Sequence, residues 1–144
     1  MSDRLRLMAE DVADLEVLSA AVQDALVRMG EVFYDARARR LSALISRFRW
    51  EKADGGQYER VRAALSFEGV LHVKSRRVRL DATDALASIL SIAFEANEEP
   101  PGGVVRLLLA GGGEIAAEVE CLDALLVDIG DAWRTPRKPD HEKA

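Results

Sequence analysis

Residues 40–68 read RLSALISRFRWEKADGGQYERVRAALSFE, two alternating stretches on either side of the turn sequence Asp54-Gly55-Gly56. Side chains along a β-strand point to opposite faces in alternation, so each stretch has two distinct faces. Glycines at such a turn supply the positive φ angles that a tight hairpin needs. The stretch therefore predicts an antiparallel hairpin, one of a series of hairpins between residues 27 and 79.

One side of this hairpin is expected to be apolar and the other to carry arginines. In the first strand the apolar side consists of Leu44, Phe48 and Trp50. The opposite side of the two strands carries the four candidate residues for binding an anion or a partner, which are Arg47, Arg49, Arg60 and Arg62.

The register of the hairpin follows from a two-residue turn centred on Gly55-Gly56. This register predicts three cross-strand pairs, namely Glu51 with Arg60, Arg49 with Arg62, and Arg47 with Ala64. Two like charges that face each other in a sheet destabilise it by a few tenths of a kcal/mol up to ~1. The pairing of two arginines therefore predicts an anionic neighbour.

The charges of the chain are segregated. The net charge is −5, yet residues 28–79 contain 13 Lys and Arg against 6 Asp and Glu. Such segregation bears on the electrostatic field of the protein and on the partners it attracts, and it does not indicate a fold. Two interpretations stay open: acidic residues of the first helix or the last strand neutralise the arginine face, or the face is open to an external anion. In the second case further cations could contribute, namely Arg37, Arg39, Arg40, Lys74, Arg76 and Arg77.

Two helices are expected. Asp11 stands at the N-cap position of a helix predicted over residues 11–26, where apolar residues recur at helical spacing. A short second helix is predicted over residues 122–129, which Gly130 would end. Residues 85–90 fit a helix or a strand, and the apolar residues that follow favour a strand.

The remaining turns complete the expected fold. Gly111-Gly112-Gly113 predicts a hairpin that places Arg106 opposite Glu118. The chain is thus expected to be an α+β domain, a curved antiparallel sheet of about six or seven strands packed against one N-terminal helix and a short C-terminal helix. This single domain would span residues 1–133, followed by a flexible C-terminal tail at residues 134–144.

Few side chains are suited to catalysis or metal binding. The chain has one Cys and two His residues, which exclude a disulfide framework and a self-contained Cys/His metal cluster. Cys121 continues the alternation of Ile115, Ala117 and Val119, which are expected to face the core. It is therefore expected to be a buried, inert thiol. His72 is expected on a solvated edge strand. We predict no catalytic residue, no metal ligand and no cofactor.

The compartment follows from what the sequence lacks. The first residues turn acidic without an apolar signal-peptide core, and no apolar stretch approaches the ~20 residues of a membrane-spanning helix. A single thiol indicates no adaptation to an oxidising compartment. The cytoplasm is therefore the expected location, with no membrane partner.

Several short motifs, read in order, resemble a known family. They are Leu5-Arg6-Leu7 before Glu10-Asp11, Leu18-Ser19-Ala20 with Gln23-Asp24-Ala25, Arg47-Phe48-Arg49-Trp50-Glu51, Gly111-Gly112-Gly113 with Val119-Glu120-Cys121, and Ala132-Trp133. The chain resembles the alphaproteobacterial family called domain of unknown function 2948 over nearly its whole length. The resemblance implies a small cytoplasmic bacterial protein without an assigned activity, and it carries over no functional residue.

These observations favour a non-catalytic interaction or regulatory module that binds an acidic protein partner through the arginine-rich face. An exposed sheet edge could also support a homo-oligomer. The alternatives are an enzyme that acts on a small anionic substrate and a nucleic-acid-binding protein. The sequence pI of about 5.1 and the lack of a basic recognition helix disfavour nucleic acid.

Overall fold

The structure, a computed structural model, describes residues 4–56, 58–136 and 138–139. It consists mostly of strands. In chain order the elements are β1 (Arg6–Ala9), α1 (Val12–Ala21), β2 (Leu26–Asp35), β3 (Arg40–Phe48), α2 (Trp50–Ala53), β4 (Glu59–Glu68), β5 (Val70–Arg76), β6 (Leu86–Ala96), β7 (Gly103–Leu109), β8 (Glu114–Val119), β9 (Ala124–Asp128) and β10 (Trp133–Arg134). The strand at β6 resolves the alternatives for residues 85–90 in favour of the strand.

The ten strands form one antiparallel sheet in which β1 and β5 are the two ends of the strand order, and the chain passes directly from β4 into β5. The order is β1-β9-β4-β3-β2-β6-β7-β8-β5, and β10 also pairs with β4. The chain runs from β4 directly into β5 and from β8 towards β9, and β4 pairs with β9 while β5 pairs with β8. The segment formed by β4 and β5 therefore lies beside the segment formed by β8 and β9, and these paired segments connect the two parts of the sheet.

Gly69 lies where β4 passes into β5. Its φ angle is +68°, a conformation that glycine adopts without the steric penalty of a side chain. Its carbonyl accepts a hydrogen bond of 2.9 Å from the backbone N–H of Glu120, at the point where β8 leaves the sheet. The chain thus changes direction at Gly69, between β4 and β5, beside the end of β8. This change of direction lets the sheet curve around the core.

The N-terminal helix begins as expected and ends earlier than expected. The carboxylate of Asp11 accepts a hydrogen bond of 2.8 Å from the N–H of Asp14, which confirms Asp11 as the N-cap. The helix α1 buries Leu15 and Leu18 and ends at Ala21 rather than at residue 26. Asp24 follows with a φ of +63°, which turns the chain into β2.

The predicted C-terminal helix is wrong, because residues 124–128 form strand β9. This strand is paired on both sides, with β1 and with β4. Its residues alternate between buried and half-buried, as in a strand with one face towards the core. The spacing of the apolar residues in the sequence fits this period of two and also fits the period of a helix. Pairing on both sides provides hydrogen-bond partners for the backbone N–H and C=O groups of β9. The sheet has ten strands rather than the expected six or seven.

The core lies on the inward face of the sheet, with α1 packed against β1 and β6. Its largest fully buried apolar side chains are Phe48, Leu15, Leu18, Met29, Ile45, Leu65, Ile89, Leu109, Ile115, Leu126 and Val22. Arg47 has the same inward parity on β3 as Ile45 and is also fully buried. An arginine inside an apolar core requires compensating charges, which the candidate site supplies.

Candidate functional site

The four arginines singled out from the sequence do not form an open surface. Arg47 is 0% exposed and Arg49 is 6% exposed, whereas Arg60 and Arg62 are half-buried. The expected placement of Arg47 on the face opposite the apolar residues is therefore wrong, and for Arg47 and Arg49 the interpretation of neutralisation within the chain applies. Three of the four guanidinium groups instead contact carboxylates of this chain.

The reason is the register of the hairpin between β3 and β4. Arg60 lies opposite Phe48, and Arg62 lies opposite Ser46, a shift of three residues from the expected pairs. The helix α2 at residues 50–53 lengthens the connection, so Gly55-Gly56 is not a two-residue turn. A shift by an odd number of residues reverses which side chains of β3 lie on the same face as a given side chain of β4. Arg47 therefore lies opposite the buried Val61 and points into the core.

Arg47 is the centre of a buried ionic network. Its Nε and Nη2 atoms donate to the two carboxylate oxygens of Asp128, each at 2.8 Å. Its Nη1 and Nη2 atoms donate to Glu51 at 3.0 and 2.7 Å, and Nη1 also donates to the carbonyl of Phe48 at 3.3 Å. Every nitrogen of the guanidinium is thus engaged within the chain, which leaves Arg47 no role in holding an external anion.

The protonation of this network follows from its contacts. Burial alone would lower the pKa of Arg47, but the hydrogen bonds that Arg47 donates to Asp128 and Glu51, and the negative charges of these carboxylates, raise that pKa. Burial favours the neutral form of Glu51, yet the hydrogen bonds and positive charge of Arg47 hold the pKa of Glu51 below its ordinary value. Arg47 and Glu51 are therefore charged at neutral pH.

The other three arginines are held in similar ways. Arg49 Nη1 lies 2.7 Å from Glu59 Oε1, and Arg62 Nη2 lies 2.7 Å from Glu31 Oε2. Arg60 donates to the backbone carbonyl of Ser46 at 3.0 Å. Burial lowers the pKa of Arg60, and the negative charge of Asp24 opposes that change. Internal carboxylates thus neutralise much of the face that the sequence left open to either interpretation.

A second group of basic side chains lies on the outer face of β5, β8 and β7. His72, Lys74 and Arg76 project outward from β5 at a spacing of two, and Arg106 projects from β7. Lys74 and Arg106 lie on either side of Ala116 in one cross-strand row. The short side chain of Ala116 leaves a groove of about 440 Å³ between them. We call this groove the cationic groove.

The two sides of the cationic groove differ in their ion pairs. Arg106 lies 3.3 Å from Glu114 and 3.5 Å from Glu95, so its charge is offset. On the β5 side, Lys74 and Arg76 are exposed and form no ion pair with any described residue. The β5 side of the groove therefore presents two exposed cations that form no ion pair within the described part of the chain.

Sequence reasoning placed Lys74 and Arg76 only in a wider set of possible contributors. The expected position of His72 on a solvated edge strand is confirmed, since it is exposed on β5. The alternation of His72, Lys74 and Arg76 was visible in the sequence. The groove itself was not, because Arg106 lies opposite Ala116 rather than opposite Glu118 as expected.

Cys121 also differs from expectation. The thiol is exposed, because β8 ends at Val119 and the parity of the strand does not extend to residue 121. It borders an apolar groove of about 300 Å³ that includes Phe94 and Pro101. Among the described residues, no group of three or more His, Cys, Asp or Glu side chains is arranged to hold a metal ion.

Comparison with known proteins concerns the whole chain. The family model described as "Protein of unknown function (DUF2948)" matches residues 5–141. A search of curated proteins found no match. Within the described residues, no helix is long and apolar enough to cross a membrane. The family match confirms the resemblance inferred from the sequence motifs.

Proposed function

The chain belongs to the family described as "Protein of unknown function (DUF2948)", and we propose from the geometry that it is a non-catalytic interaction module for an acidic protein partner. The observation that carries this proposal is the contrast between two sets of cations. Arg47 is saturated by internal carboxylates, whereas Lys74 and Arg76 line an open groove without such a partner. The binding role predicted for Arg47, Arg49, Arg60 and Arg62 passes in this proposal to Lys74 and Arg76.

The location of these cations supports binding rather than a structural role. Lys74 and Arg76 are exposed on a strand at the end of the sheet, and neither contributes to the buried core. The acidic residues Glu114 and Glu118 also line the groove, so its charge is positive along β5 and negative along β8. Such a pattern favours a partner with carboxylates placed along β5.

An enzyme acting on a small anionic substrate is the alternative with a specific observation in its favour. His72 lies opposite Glu118 across β5 and β8, at the border of the same groove. A catalytic groove would need these two side chains, whereas the proposed interaction module needs only Lys74 and Arg76. Replacement of His72 by Ala is therefore expected to leave partner binding unchanged.

Binding to a fluorescein-labelled oligoglutamate peptide, followed by fluorescence anisotropy at low salt, tests the proposal. The double variant Lys74→Glu plus Arg76→Glu is expected to bind about tenfold more weakly, because exposed ion pairs contribute roughly 0.2–1 kcal/mol each and reversal replaces attraction by repulsion. The affinity of the unaltered protein is expected to fall as salt screens these exposed charges.

The matched control is Arg6→Glu plus Arg28→Glu, two exposed arginines on β1 and β2 that give the same change in net charge. We expect the control variant to bind like the unaltered protein. Equal losses in both double variants, or no binding by the unaltered protein, would overturn the proposal. Stronger binding to oligo(dT) than to oligoglutamate would favour the nucleic-acid alternative instead.

A further inference from the structure

Strand β5 lies at one end of the order of strands and has an open edge. It pairs with β8 on one side. On its other side the N–H of Val70 donates to the carbonyl of Arg39 at 2.9 Å, and no described strand pairs with residues 71–76 there. Residues 71–76 span roughly 20 Å at the ordinary rise of a strand. An unpaired edge of this length can accept another strand.

The side chains of β5 make a second copy of this chain a poor occupant. Two β5 edges paired antiparallel would bring His72, Lys74 and Arg76 of one copy alongside the same residues of the other. Like charges at opposed positions in a sheet are destabilising. Lysines on edge strands commonly prevent such edge-to-edge association. The expected homo-oligomer is therefore disfavoured at this edge.

The same side chains suit a strand that carries carboxylates. A strand added beside β5 would place alternate side chains in the same cross-strand rows as His72, Lys74 and Arg76, with Cβ atoms roughly 4.5–5.5 Å apart. Acidic side chains at every second position would thus reach Lys74 and Arg76. The intervening positions would lie beside the half-buried Val73 and the exposed Ser75, which suits small or β-branched residues.

The beginning of β5 offers an apolar contact. The side chain of Leu71 is 45% exposed, and that of Tyr34 is 38% exposed. The hydroxyl of Tyr34 donates to the carbonyl of Val70 at 3.0 Å, which places the ring beside the start of the strand. An apolar residue at one end of an added strand would be covered here.

We propose that β5 binds an extended acidic segment of another protein by adding it to the sheet as a further strand. This inference rests on the proposed function, since it names the form in which the acidic partner binds. Backbone hydrogen bonds along the β5 edge supply the alignment, and Lys74 and Arg76 select carboxylates at alternate positions. The segment is extended, acidic at every second residue, and apolar at one end.

Peptide N-methylation tests this form of binding, because it removes backbone N–H donors without changing charge. The probe is a fluorescein-labelled peptide of alternating Thr and Glu, as long as β5. One derivative is N-methylated at all Thr residues and the other at all Glu residues. In an added strand the N–H groups of one parity point to β5 and those of the other point to solvent. One derivative is therefore expected to lose at least about tenfold in affinity while the other binds nearly as well as the parent peptide.

The outcomes separate this inference from the proposed function. If the parent peptide binds and the two derivatives differ little from each other, strand addition is wrong while acidic binding at the cationic groove stands. If the parent peptide does not bind, the proposed function fails as well. Hydrogen exchange gives a second measurement, since strand addition is expected to slow exchange of amides within residues 71–76. Sedimentation that shows a dimer dissociated by the peptide would assign the edge to a second copy and overturn the inference.

Discussion

Arg47 and Asp128, which are 81 positions apart in the sequence, form a two-pronged ion pair inside the sheet, with Nε–Oδ1 and Nη2–Oδ2 distances of 2.8 Å. Asp128 also accepts a hydrogen bond of 2.9 Å from the backbone N–H of Leu5. The pair therefore joins β3, β9 and the residues that lead into β1. It explains why a strongly basic segment does not present all of its charge to solvent.

Removal of Arg47 is expected to destabilise the protein strongly. The substitution Arg47→Met keeps much of the volume but leaves the Asp128 carboxylate buried without its cation, which costs about 3–5 kcal/mol. Urea unfolding monitored by tryptophan fluorescence measures this loss. The control Arg62→Met breaks a partly exposed pair with Glu31 and is expected to cost about 1 kcal/mol or less. Equal effects of the two substitutions would contradict the buried network.

The network also predicts a dependence of stability on pH. The pKa of Glu51 is lowered in the folded protein, so its stabilising contribution is complete above the ordinary Glu pKa of about 4.3 and is lost as the pH falls through the folded-state value. The free energy of unfolding of the unaltered protein is thus expected to fall towards that of Glu51→Gln on acidification. The effect is small, because the side chain of Glu51 is 37% exposed. A difference that grows on acidification would contradict the assignment.

Gly103 is expected to tolerate no side chain. A Cβ atom there would overlap the carbonyl oxygen of Glu95 and lie 2.6 Å from Cζ of Phe94. We expect Gly103→Ala to lower the free energy of unfolding by about 1–3 kcal/mol, the usual effect of overpacking. At Gly55 the nearest atom to such a Cβ is the carbonyl oxygen of Lys52 at 3.6 Å, so Gly55→Ala should change stability by about 0.5 kcal/mol or less. Similar melting temperatures for the two variants would refute the packing at Gly103.

The exposed thiol of Cys121 gives a chemical test of the end of β8. Since it is the only Cys of the chain, any thiol reaction reports on this residue. Ellman's reagent is expected to modify it fully in the folded protein, at a rate similar to that in urea. A thiol that reacts only after unfolding would place Cys121 in the core and contradict the structure at this position.

Local sequence signals were sufficient for some elements of the fold. The N-cap at Asp11, the turn at residues 111–113 and the solvated position of His72 each follow from residue types within a few positions. The antiparallel character of the sheet is also confirmed. Residues 137 and 140–144 of the predicted tail lie outside the described residues, and β10 extends regular structure to Arg134.

Long-range pairing decided the features that sequence patterns missed. The apolar residues within 122–129 fit both the period of a helix and the period of a strand. Only the pairing with β1 and β4 selects the strand. The face of Arg47 depended on a hairpin register that α2 shifts by an odd number of residues. The serines at positions 42 and 46, which share the outward face of β3, were a signal for the true parity. Because Arg47 is buried, its charge reversal would report on folding and not on partner binding.

In this account an acidic partner contacts Lys74 and Arg76 on β5 and not the arginines around Arg47. A titration of the isotopically labelled protein with oligoglutamate, followed by amide chemical shifts in NMR spectra, tests it most directly. We expect the largest shifts at residues 72–76, with smaller shifts at Arg106 and Ala116 across the cationic groove, and unchanged amides around Arg47 and Asp128. Shifts concentrated at residues 47–49 and 60–62, with β5 unaffected, would contradict the account.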